Sequence, residues 1–176
     1  MSKKSVVMSV RVDDKIREKL QMEAKLNQTS INTLISQILA KHTGWDKFTK
    51  EIGFIFLTKP FVRAILEEVP ESTIKTIGNT ICRGGIRDTM IFTEGKINIT
   101  SFFNSFGMWL AASNIPYRII HEEEDTIIVK HGLGTKFSDY LKNLAEALLE
   151  EIGFNIKNVK MDDDNLMFEV TKSQKI

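Results

Sequence analysis

From Ser5 to Val12 the chain alternates: Val6, Met8, Val10 and Val12 fall on one side of an extended backbone, and Ser5, Val7, Ser9 and Arg11 on the other. A period of two in a valine-rich run predicts a β-strand with one buried face. Asp13 or Asp14 is placed to cap a helix that follows, because a short side-chain oxygen satisfies a first-turn N–H. Ile16, Leu20 and Ala24, closed by Leu26, give that helix a narrow apolar stripe. Asn27-Gln28-Thr29 break the pattern. Ser30 then caps a second helix, whose Ile31, Leu34, Ile35, Ile38 and Leu39 make a wide apolar face as far as Lys41. A lone strand with two short helices has no ladder partner and buries too little surface to stand alone. Both defects vanish if two chains associate, strand against strand across a two-fold axis, with the second helices interlocked.

The strings Met8-Ser-Val-Arg-Val-Asp-Asp-Lys-Ile16 and Ser30-Ile-Asn-Thr-Leu-Ile-Ser-Gln-Ile-Leu39 resemble the ribbon-helix-helix family of DNA-binding proteins over residues 5–42. The family's inter-helix turn usually holds glycine, and this chain has Asn27 and Gln28 there; asparagine tolerates the left-handed conformation. The resemblance implies a homodimer, or a tetramer built from it, that lays a two-stranded ribbon in the major groove of double-stranded DNA. Val7, Ser9 and Arg11 would then meet base edges: Arg11 holds guanine O6 and N7, Ser9 donates or accepts, and Val7 touches a thymine methyl. The free N–H groups around Ser30, Ile31 and Asn32 suit a backbone phosphate, and Lys3 and Lys4 add sequence-blind attraction. Each residue also has an ordinary role: an exposed Arg11 solubilises, Ser30 caps a helix without DNA, and Lys3 and Lys4 belong to a solvated tail.

Charge agrees with a polyanion at the head. Residues 1–50 hold ten Lys/Arg against five Asp/Glu, whereas residues 51–176 hold fourteen against eighteen, so a net of +1 conceals a basic head on an acidic body. With 42% hydrophobic and 27% charged residues the chain is expected to be globular rather than disordered. No apolar window is long enough for a transmembrane helix, and no apolar run follows the basic Met-Ser-Lys-Lys-Ser start, so neither a membrane span nor a signal peptide is expected. Cys82 is the single cysteine and cannot form an internal disulfide, which fits a reducing cytoplasm.

Gly44 is expected to end the second helix, with Trp45-Asp-Lys-Phe48 opening a new one, so the chain divides into a head, 1–44, and a second domain, 45–176. In that domain Ile52–Leu57 is a short apolar run, and Phe61–Glu68 (with Pro60 at its start) and Glu71–Ile81 read as helices. Cys82-Arg-Gly-Gly85 reads as a turn. A phenylalanine-rich helix starts near Thr100-Ser101 and ends by Asn114. Tyr117–His121 and Thr126–Lys130 form a hairpin around Glu122–Asp125. The clearest helix, Lys136–Ile152, carries Phe137, Tyr140, Leu141, Leu144, Leu148 and Ile152 on one face, with Thr135 as its cap and Gly153 as its stop. Phe154–Lys160 and Leu166–Thr171 flank Asp162–Asn165 as a second hairpin. The order predicts an α+β domain, an antiparallel sheet with helices on one side, and no internal repeat.

No nucleophile elbow, P-loop, dinucleotide fingerprint or paired-histidine zinc motif occurs, so neither catalysis nor a cofactor is expected. His42, Cys82, His121 and His131 are the candidate metal ligands, but they lack ligand spacing, and no metal site is assigned. Phe102, Phe103, Phe106, Trp109 and Leu110 read as core before ligand box. Arg83-Gly84-Gly85 reads as a turn before an anion cradle, and Glu122–Asp125 and Asp162–Asp164 as solvated tips. The expectation is a dimeric transcriptional regulator whose second domain senses a small-molecule or protein effector, or extends the assembly. A partner-binding protein of antitoxin type, with the head serving autoregulation, is the alternative; an enzyme with a fused regulatory head is a further one.

Overall fold

A computed structural model describes residues 6–46, 55–81, 84 and 86–173. The chain divides into two compact units, Met1–Lys47 and Phe48–Ile176.

In the first unit, α1 (Asp14–Leu26) starts at Asp13, whose carboxylate accepts the Lys15 N–H at 2.9 Å. It ends in a left-handed turn in which the N–H groups of Gln28 and Thr29 donate back to Lys25 O and Ala24 O. Gln28, at φ 51°, is the residue that adopts the positive φ; Asn27 stays at −84°. α2 (Ile31–Lys41) starts at Ser30, whose Oγ accepts the Thr33 N–H at 3.0 Å.

One expectation fails in this unit, and another concerns a pair of chains. Residues 6–13 form no strand in the single chain, since a strand needs a ladder partner and none is present among the described residues. The ribbon expected at 5–12 pairs two chains, so a single chain does not test it, and Ser5 lies outside the described residues. Gly44 does not end the second helix: the backbone continues through a π turn, His42–Asp46, in which Trp45 is buried. Thr43 Oγ1 donates to Leu39 O at 2.8 Å, supplying a partner at the helix end, so nothing forces the chain to stop there.

The described part of the second unit starts with residues 55–58 in no regular structure, with Ile55, Phe56 and Leu57 exposed; residues 52–54 of the expected apolar run lie outside the described residues. α3 (Lys59–Glu68), with Pro60 in its first turn, and α4 (Glu71–Ile81) follow. The Cys82–Gly85 turn lies outside the described residues apart from Gly84. α5 (Arg87–Glu94) was not expected as a helix; it has no side-chain cap at Ile86 and stops at Gly95, φ 67°. α6 (Ile99–Ala112) starts one residue before Thr100, with Asn98 as its cap, because Asn98 and Ser101 cap each other's backbone N–H groups.

The strands are β1 (Tyr117–Ile120), β2 (Asp125–Lys130), β3 (Phe154–Met161) and β4 (Asn165–Lys172), with α7 (Thr135–Glu151) between the hairpins. Thr135 is the first residue of α7 rather than its cap. The cap position is Gly134, whose φ of 88° a threonine would reach only under strain. Among the described residues the strands form one antiparallel sheet in the order β1-β2-β4-β3. The element order α6-β1-β2 recurs as α7-β3-β4, and the two hairpins meet at β2 and β4 in the sheet's centre.

One sheet face carries Ile127, Val129, Leu166, Phe168 and Val170, all buried with Phe137, Leu141, Leu144 and Leu148 of α7 and Phe102, Phe106 and Leu110 of α6. At about 1.5–3 kcal/mol for each large apolar side chain removed from water, this layer is the main stabilising term of the unit. The phenylalanine cluster is thus core, with Phe102 and Phe106 stacked at 5.4 Å and Phe103 and Trp109 packed at its margin. The opposite face is mixed: Arg118, Lys130, Lys157 and Lys160 are exposed, and Ile120, Ile128 and Met167 are half-buried.

Candidate nucleic-acid interface

Every described residue of the expected DNA contact is open to solvent or nearly so. Val7 is 95% exposed, and Ser9 and Arg11 are exposed beside it. Ser30 and Asn32 are exposed and Ile31 half-buried at the start of α2; Lys3 and Lys4 lie outside the described residues. Ser30 O receives the first intrahelical bond, from Leu34 N, so the N–H groups of Ile31 and Asn32 have no acceptor within the helix. Two groups of donors, the Arg11 guanidinium and this helix start, therefore lie on the same unit. Arg11 suits bidentate contact with a base edge and the helix start suits an anion.

The apolar residues of this unit are poorly sheltered. Val6, Met8, Val10 and Val12 are 50–84% exposed, and Ile16, Met22, Ile38 and Leu39 are exposed as well, leaving Ala24, Leu34 and Trp45 as the buried apolar residues among those described in it.

The second unit holds the other candidate chemistry. His121 and His131 do not face each other: the register from Tyr117↔Val129 to Ile120↔Thr126 puts them at opposite ends of the first hairpin. His121 Nδ1 lies 2.6 Å from Asp125 Oδ1, with its ring edge-on to Phe103. His42 is exposed in the first unit and Cys82 lies outside the described residues. Among the described residues no three His, Cys, Asp or Glu side chains cluster as metal ligands would.

His131 is buried and fully bonded. Its Nδ1 accepts the Leu133 N–H at 3.0 Å, so Nε2 carries the proton and donates to Ser138 Oγ at 2.8 Å. Ser138 Oγ in turn donates to Asp162 O at 2.9 Å. Burial pushes the His131 imidazole below its ordinary pKa, against the opposing pull of Asp164 and Asp162. A serine beside a histidine invites comparison with a nucleophile and its base. Here the hydroxyl is wholly buried and its proton points at a carbonyl, so it is not presented to a substrate. Spacing alone does not reveal this pair, because His131 and Ser138 belong to a loop and a helix that only the fold brings together.

The two acidic tips are not merely solvated. Lys157 Nζ donates to Glu124 at 2.5 Å, and this bond holds the Glu124 carboxyl below the usual range. Asp162 Oδ1 accepts the Asp164 and Asn165 N–H groups, which lowers its pKa in the same way. A cleft of about 730 Å³ lies by the first tip, lined by Glu122–Asp125, Phe154, Lys157 and Lys172; it presents both signs of charge and selects no single ligand chemistry.

Comparison with protein-family models, with curated proteins and with solved structures returned no match. No helix among the described residues is long and apolar enough to cross a membrane.

Proposed function

We propose that this chain is a sequence-specific DNA-binding transcriptional regulator that acts as a homodimer and without catalysis, in the cytoplasm. In this reading residues 5–12 of two chains pair as an antiparallel ribbon and enter the major groove, with Val7, Ser9 and Arg11 toward the bases. Ser30, Ile31 and Asn32 meet phosphate, and Lys3 and Lys4 add charge. The second unit senses an effector or extends the assembly.

The observation that carries the reading is the state of the first unit in a single chain. An alternating apolar segment lies unpaired and exposed, directly ahead of two well-capped helices whose own apolar faces are half open. Apolar burial favours association of such a segment, and strand pairing with a second copy shelters Val6, Met8, Val10 and Val12 together. The basic charge of residues 1–50 then lies on the dimer that would meet DNA.

Selection from a random DNA pool with purified full-length protein tests the reading, with the oligomeric state measured on the same sample. A dimer that enriches a two-fold sequence is expected. A monomer at working concentration, or a pool without enriched sequence, overturns it.

A further inference from the structure

The loop His131–Gly134 is tied to the β3–β4 turn in two ways. Its backbone donates from His131 and Gly132 to Asp164 O and from Gly134 to Asp163 O. Its side chain makes the relay Leu133 N–H to His131, His131 to Ser138, and Ser138 to Asp162 O. Each ring nitrogen in this relay has one role, Ser138 Oγ both accepts and donates, and the order is fixed by the neutral ring. A charged imidazolium has a proton on both nitrogens, so its Nδ1–H would point at the Leu133 N–H instead of accepting from it.

We propose that His131 is a proton-sensitive latch: taking up a proton breaks its bond with Leu133 and loosens the 131–134 loop around that amide. The inference is independent of DNA binding.

The surroundings set the direction. From the β3–β4 turn, Asp162 and Asp164 face the ring and favour its cation; from α3, Lys59 opposes it. Arg63 of α3 pairs with Asp163 at 3.7 Å alongside and offsets part of the acidic field. The neighbours on α7 are Ser138 and Phe137, the latter with its ring 5.1 Å from the imidazole, and neither titrates near neutrality. Burial outweighs the carboxylates, so the closed ring holds a proton less readily than the open one. Opening therefore becomes easier as pH falls below the ordinary histidine value. The loop has backbone freedom to respond, since Gly132 and Gly134 both sit at positive φ. The Asp162 carboxyl is held below the usual carboxylate range, so its own titration falls at lower pH and does not mimic the effect.

The test uses the full chain labelled with 15N. Long-range proton–nitrogen spectra read the tautomer and the titration midpoint of His131, assigned by its absence in His131→Asn. Hydrogen exchange reads the protection of the Leu133 amide, with Leu144 in the middle of α7 as reference. The expected result is an Nε2–H ring with a midpoint below the ordinary 6.5. Leu133 protection should fall, relative to Leu144, by about tenfold per pH unit below that ordinary value until the closed ring itself titrates. In His131→Asn, where the amide oxygen keeps an acceptor for Leu133 but cannot titrate, the ratio should stay flat. An Nδ1–H tautomer, a midpoint at or above 6.5, or the same loss in His131→Asn would overturn the latch. Should the variant fail to fold, His42→Asn and His121→Asn assign the other two rings, and the tautomer and midpoint of the remaining ring still decide.

Discussion

Lys136, in the first turn of α7, donates its ammonium to the carbonyl of Val69 at 2.6 Å, just past the end of α3. The same nitrogen reaches Glu67 O at 2.7 Å. A cation at a helix N-terminus opposes the helix dipole, but this one extends away from its own helix to the carbonyl end of another, where positive charge is favourable. The contact joins residues 67 positions apart and fixes the exit of α3 against the start of α7. Lys136→Met keeps most of the aliphatic stem and leaves the two carbonyls without their charged donor. It should cost about 1–2 kcal/mol in urea denaturation at pH 7. Lys142→Met, which removes an i,i+4 pair with Glu146 at 3.7 Å, should cost well under that, since partly exposed pairs of this kind contribute about 0.3–0.5 kcal/mol. Equal effects from the two variants would show that the cross-helix contact adds nothing.

Gly78 of α4 packs directly against the backbone of α7. A Cβ built there would stand 3.3 Å from Asn143 Cβ and 3.5 Å from Tyr140 O, with no flexible chain end to yield. Alanine gains about 1 kcal/mol of helix propensity over glycine and loses a similar amount to compression. Gly78→Ala should therefore melt close to the unaltered protein. Gly78→Leu has no such balance and should cost about 1–3 kcal/mol or more, with α4 displaced. A Gly78→Leu variant of normal stability would mean that the two helices part without penalty.

Four of the described helices end on a residue in the left-handed region: Gln28 after α1, Gly95 after α5, Asn114 after α6 and Gly153 after α7. The geometry is shared and the residues differ. Glycine takes this conformation freely and asparagine with modest strain, while glutamine takes it at about 1 kcal/mol or more. Gln28→Gly should stabilise the first unit by about 0.5–1 kcal/mol, seen as stronger amide protection along α1. Weaker protection in α1 would contradict a strained Gln28.

These positions show what could be read before the fold was known. α7 was legible because Phe137, Leu141, Leu144 and Leu148 repeat at helical spacing and Gly153 stops them. The hairpins were legible because Asp162–Asn165 and Glu122–Asp125 interrupt apolar strands. α5 was not, since Ile86 offers no capping side chain and Met90, Ile91 and Phe92 run consecutively, which fits no single period. Its one signal was Gly95. The repeated helix-hairpin order escaped notice because α6 and α7 have different lengths, 14 and 17 residues, and different core residues. In the turn after α1 the strained position is Gln28, although asparagine next to it is the better left-handed residue; the deciding factor is the bond from Thr29 to Ala24 O, which counts residues from the helix rather than choosing among them. The His131–Ser138 bond depends on tertiary placement, which periodicity does not carry. The strand at 5–12 was read from a pattern that describes what the segment needs, and a single chain does not contain it.

The proposed interface makes a prediction that separates base reading from charge. Arg11 is exposed on the segment assigned to the ribbon, and a bidentate contact to guanine contributes about 1–3 kcal/mol of discrimination. On the selected site, Arg11→Ala should lose that amount and relax preference at one base position in each half-site. Lys3→Ala, by contrast, should weaken binding to all sequences alike and flatten the dependence of affinity on salt by about one unit of slope. The measurement is titration of each variant against the selected site and a scrambled duplex at several salt concentrations. If Arg11→Ala loses equally on both duplexes, Arg11 contributes charge and no reading of sequence, and the ribbon does not lie in the groove with Val7, Ser9 and Arg11 toward the bases.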